Sequence, residues 1–133
     1  MIRIAALALP LCAALPAAAA DFTFHVPLIL QTYHQPDSVV GSTHSVVCVV
    51  SGGGREIGRG KTPMGMPADG NLSTTIHVEV NARAPARAAD ATDYRCTFNV
   101  SDTVTADYAV THGDLRPRPG TTPVLVVSGH ITR

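Results

Sequence analysis

The side chains best suited to chemistry in this sequence are two thioethers and a scatter of imidazoles. Pro63-Met64-Gly65-Met66-Pro67 holds the thioethers, and six histidines are spread along the chain. Soft sulfur together with imidazole suits copper(I), so a periplasmic copper-binding carrier using Met64, Met66 and histidines is one function open to the chain. Against it, no two histidines lie at a ligand-like spacing. His25 and His77 each fall on strand faces expected to meet solvent, and paired Met in a loop usually packs over the edge of a core. The metal reading is therefore the alternative, and no cofactor is assigned.

Other chemistries fare worse. Gly54 to Thr62 reads Gly-Arg-Glu-Ile-Gly-Arg-Gly-Lys-Thr and approaches a phosphate loop. That motif needs four residues between its first glycine and the Gly-Lys pair, because the loop amides must encircle a phosphate. Counting back from Gly60 puts the required position at Arg55, one residue past Gly54, so a hairpin loop is expected instead. No serine lies in a strand-turn-helix elbow and no carboxylate pair is placed for acid–base work, so no catalytic residue is assigned. Asn71-Leu72-Ser73 and Asn99-Val100-Ser101 fit the glycosylation sequon. With one lysine among ten basic residues and an Ala-rich leader the chain looks bacterial, and both are read as chance.

The elements that must position any site begin after a targeting segment. Arg3 supplies a basic start, Ile4 to Pro16 an apolar stretch too short to span a bilayer, and Ala18-Ala19-Ala20 a small-residue cleavage site. Leu11 before Cys12 is not the small residue that lipidation wants, so residues 1–20 are expected to be a signal peptide cleaved after Ala20. Residues 21–133 then form one domain, periplasmic or secreted, with nine basic and ten acidic residues and a formal charge of −1. A near-neutral domain without a basic cluster offers no footprint for nucleic acid, and nothing in it is long and apolar enough for a membrane span. Arg55, Arg59 and Lys61, its densest basic group, are expected to be the solvated rim of a loop. Cys48 and Cys96 remain once the leader is gone, and in an oxidising compartment they most simply pair. Two free thiols, or pairing with another protein, are the alternatives.

Asp90-Ala91-Thr92-Asp93-Tyr94-Arg95-Cys96 gives the strongest fold signal. Alternate side chains of a strand share a face, so Tyr94, Cys96, Phe98 and Val100 are expected to point inward. An acidic residue, a small residue, a tyrosine and a cysteine at every second position resembles strand F of immunoglobulin-like sandwiches. The resemblance implies a tyrosine corner at Tyr94, with its hydroxyl bonded to backbone a few residues upstream. It also implies a strand-B counterpart at Ser42 to Ser51, whose Cys48 would meet Cys96 across the sandwich. The chain has no tryptophan, the residue antibody-type domains carry in their core, so a looser relative is implied.

Other segments supply the remaining strands. Phe22, Phe24, Val26, Leu28 and Leu30 alternate with smaller or polar residues, and Pro27 places that strand at an edge or breaks it. Val46, Cys48 and Val50 on one face, with Val47 and Val49 on the other, make a central strand. Asn71 to Asn81 alternates cleanly, with Leu72, Thr74, Ile76, Val78 and Val80 facing in. So do Val104, Ala106, Tyr108 and Val110, and then Leu125, Val127 and Ile131. Gly52 to Gly70 carries no such pattern. The sequence thus predicts an all-β, immunoglobulin-like antiparallel β-sandwich of about seven strands with one inter-sheet disulfide. By analogy with such folds, it predicts an exported, non-enzymatic binding or adhesion/adaptor module acting through protein or glycan contacts.

Overall fold

A computed structural model of the chain describes residues 18–37, 43–101 and 108–132. Most of the expected signal peptide, and the Val104 and Ala106 positions, lie outside the described residues. Seven strands run in the order β1 Phe22–Leu30, β2 Thr43–Gly52, β3 Arg55–Met64, β4 Leu72–Val80, β5 Asp93–Ser101, β6 Tyr108–Ala109 and β7 Val126–His130. Short 3-10 turns occupy Pro85–Asp90 and His112–Asp114. All pairings are antiparallel. β1 and β4 make one sheet. β3, β2 and β5 make the other, and the far edge of β5 is shared by β6 at Asn99–Val100 and β7 at Asp93–Thr97. The protein is an all-β sandwich. No helix among the described residues is long and apolar enough to cross a membrane.

Alternation explains most of these strands. Val26, Leu28 and Leu30 of β1 and Val78 and Val80 of β4 are buried, while His25, Pro27, His77 and Glu79 are exposed. Cys96, Phe98 and Val100 of β5 bury against them, with Val46 and Val50 of β2. Pro27 does not break β1, which pairs with β4 without interruption from Phe22 to Leu30. Ile29 exchanges backbone hydrogen bonds of 3.1 and 2.9 Å with Val124, so its polar groups point away from β4. Pro27, two residues earlier, points the same way, and its missing N–H costs no bond of the β1–β4 ladder.

β3 is a strand where the sequence shows no apolar alternation, Ile57 standing alone among glycines and charges. Gly53 (φ 58°) and Gly54 (φ 74°) form a two-residue reversal between the paired Gly52 and Arg55. Positive φ at both positions is what the tightest hairpin turn requires, and glycine takes it without a Cβ clash. Gly58 and Gly60 then face the other layer, where a Cβ would strike the carbonyl oxygens of Asn81 and Glu79. Alternation of apolar side chains is absent here because the opposing backbone fills the space they would occupy. The contact is sealed by an Arg83 N–H donating to the Ile57 carbonyl at 2.9 Å. The two sheets are therefore joined by backbone at both edges, here and at Ile29–Val124.

Cys48 and Cys96 form the expected disulfide, with Cα atoms 4.0 Å apart. Its expected inter-sheet placement is corrected by the register: Cys48 lies directly opposite Cys96 on neighbouring strands of one sheet. β2 is central and uses both edges, pairing β3 on one side and β5 on the other, so its cysteine meets its partner beside it rather than across the core.

Candidate functional site

The β2–β3 reversal and the 3-10 turn Pro85–Asp90 stand side by side at one end of the sandwich. Pro85 opens that turn, its fixed φ suiting a first helical position, and the Ala91 N–H closes it on the Ala88 carbonyl at 3.3 Å. Between the two lies a cleft of about 470 Å³ lined by Gly52, Gly53, Arg55, Glu56, Ile57, Arg83, Ala84, Arg87 and Asp90. Arg83 and Arg59 both donate to the Glu56 carboxylate, at 2.5 and 2.8 Å. The Arg59 hydrogen bond, helped by the charges of Arg59 and Arg83, holds that carboxyl below its ordinary value against the opposing effect of burial. Arg87 reaches Asp90 at 3.6 Å. Arg55 has no ion pair among the described residues.

Three guanidinium groups against two carboxylates leave the cleft with surplus positive charge. Guanidinium forks bind planar or tetrahedral oxyanions bidentately, so the arrangement can take a carboxylate, sulfate or phosphate from a partner. The expected basic rim is thereby redistributed. Arg55 lines the cleft, Arg59 pairs with Glu56, and Lys61 donates to Ser101 Oγ at 2.9 Å on a neighbouring part of the sheet. Arg83 and Arg87 come from a separate segment, and no run in the sequence ties them to Arg55.

Polar groups also gather at the other end of β2. The His44 ring stacks on Phe98 with centroids 5.8 Å apart, and Tyr33 meets the two rings edge-on at 5.7 and 5.6 Å. Tyr33 Oη and His44 Nε2 are buried and have no hydrogen-bond partner among the described residues. Burial pushes His44 below its ordinary value, favouring the neutral imidazole. Burial, then the nearby Asp114 and Tyr108, push the Tyr33 phenol up to about 12. Met64 lies directly opposite His44 across the β2–β3 ladder, and both Met64 and Met66 pack half-buried against the core. The sequence selected the two methionines but not the histidine. Only the strand register brings them together.

The remaining sequence-selected residues behave differently. Tyr94 is half-buried as its strand phase requires, its ring 4.8 Å from that of Phe24 and lying across Gly129 of β7. Its hydroxyl makes no hydrogen bond to backbone among the described residues. Tyr94→Phe is therefore expected to change stability by less than about 0.5 kcal/mol in a urea melt. A loss above 1 kcal/mol would reveal a partner for the hydroxyl. His25 and His77, distant in sequence, are cross-strand neighbours on the outer face of β1–β4, ring centroids 4.0 Å apart. Among the described residues no three His, Cys, Asp or Glu side chains converge as a metal-binding group. Comparison with protein-family models, with curated proteins and with solved structures returns no match.

Proposed function

We propose that the chain is an exported, non-enzymatic binding or adhesion/adaptor module of immunoglobulin-like layout, acting through contact with a protein or glycan. The observation that carries this reading is the cleft beside the β2–β3 reversal, where Arg55, Arg83 and Arg87 face one concave surface. An acidic group on the partner, the carboxylate of a side chain or of a sugar, would complete the charge that Glu56 and Asp90 leave unbalanced. Export is supported by the disulfide, because such bridges persist in oxidising compartments.

Titration of the protein with an oligoglutamate peptide and with a polyuronate oligosaccharide tests the reading. One of the two should bind saturably, and more weakly as salt rises, since an exposed ion pair is screened. Arg55→Ala with Arg87→Ala should weaken that binding by about tenfold, one factor of ten being about 1.4 kcal/mol. Both side chains are on the surface, so the melting temperature should hardly move. If neither probe binds, or the double variant binds as well as the parent, the cleft is not the contact surface.

A further inference from the structure

His44, Met64 and Met66 combine three properties that a soft-metal site needs. His44 Nε2 is buried and has no hydrogen-bond partner among the described residues, which leaves a lone pair or an N–H unsatisfied there. Opposing residues of an antiparallel ladder hold their Cβ atoms about 4.5–5.5 Å apart, which brings the Met64 thioether within reach of the imidazole. Met66 follows two residues later and packs against the same core. Met64 and Met66 are half-buried rather than sealed in, so an ion can enter from the surface by a side-chain movement.

We propose that His44, Met64 and Met66 bind a soft monovalent cation, copper(I), at the end of the sandwich opposite the arginine cleft. Thioether sulfur and neutral imidazole together favour copper(I) over hard divalent ions. His44 is fixed for this role by its stacking on Phe98 and by Tyr33 standing edge-on to it, so its ring pays little to be ordered. The Tyr33 hydroxyl, also buried without a partner among the described residues, borders the same aromatic cluster and adds a polar group near the imidazole. The site is independent of the arginine cleft, and either can exist without the other.

Copper(I), generated with ascorbate and titrated in competition with a chromogenic copper(I) chelator, is the probe. The disulfide is verified intact by mass, since free thiols would bind copper(I) themselves. One ion per chain is expected. Even outer partners of metal ligands are worth about 10–100-fold in affinity, so Met64→Leu with Met66→Leu should weaken binding by at least about tenfold. Leucine conserves volume, so that variant should keep its fold. His44→Gln should weaken binding similarly. In the parent protein, copper(I) should shift the methyl NMR signals of Met64 and Met66. Absence of saturable binding overturns the proposal. So does binding that survives the leucine variant but is lost in His25→Ala with His77→Ala, which would put the metal on the outer histidine pair.

Discussion

Phe98→Ala is expected to lower stability by about 3–5 kcal/mol, the usual cost of emptying a large buried aromatic site. Phe98 is 1% exposed, lies opposite Val46 in the middle of the larger sheet, and supports the rings of Tyr33 and His44. Its removal opens a cavity beneath the two rings that pack on it, whose Tyr33 Oη and His44 Nε2 have no hydrogen-bond partner among the described residues. Domains of this size are stable by about 5–15 kcal/mol, and the variant should therefore melt at a much lower urea concentration with an unchanged slope. Arg95→Ala, three residues earlier on β5 and exposed on the opposite face, should cost less than about 0.5 kcal/mol. Equal behaviour of the two variants would mean that β5 has the opposite phase.

The second large effect belongs to the disulfide. Replacing both Cys48 and Cys96 with Ala should cost about 2–5 kcal/mol, and chain entropy alone gives about 4 kcal/mol for a loop of this length. The residues are separated by 48 positions, so the unfolded chain gains much freedom when the bridge is lost. Replacing both avoids leaving a free thiol in the core. Because the bridge links two strands that are already hydrogen-bonded to each other along their length, the variant should keep its native β signal at low temperature while its melting midpoint falls. Loss of the folded signal at every temperature would show that the two sheets depend on the bridge to associate.

The fold was legible wherever side chains rather than backbone fill the interior. β1 and β4 were read from alternation, with bounds at or near those observed, and β5 from alternation together with the resemblance carried by Tyr94 and Cys96, because every second residue of each must bury an apolar group. β3 was not, since Gly58 and Gly60 leave room for the Asn81 and Glu79 carbonyls and therefore show no apolar period. The pairing of Cys48 with Cys96 followed from there being two cysteines after the leader. Which strands are neighbours depends on sheet order, and strand phase carries no information about it. The same limit hid both candidate sites. His44 meets Met64, and Arg55 meets Arg83 and Arg87, through register and crossing chain segments. Side-chain type singled out Met64 and Met66 in the sequence, whereas nothing set His44 apart from the other histidines.

The segment 124–131 closes both layers at once. Val124 bonds to Ile29 of β1, the Leu125 carbonyl accepts from Phe98 of β5, and the Ile131 N–H donates to the Thr92 carbonyl. A growing chain that has not yet produced this segment therefore carries two open strand edges, one on each sheet. Such edges are templates for pairing with other chains. Contacts this distant in sequence are also slow to form, because the intervening chain must lose its freedom before they reward it. The cost of this architecture falls on biogenesis: until this segment is in place, two unpaired edges leave the polypeptide most exposed to aggregation.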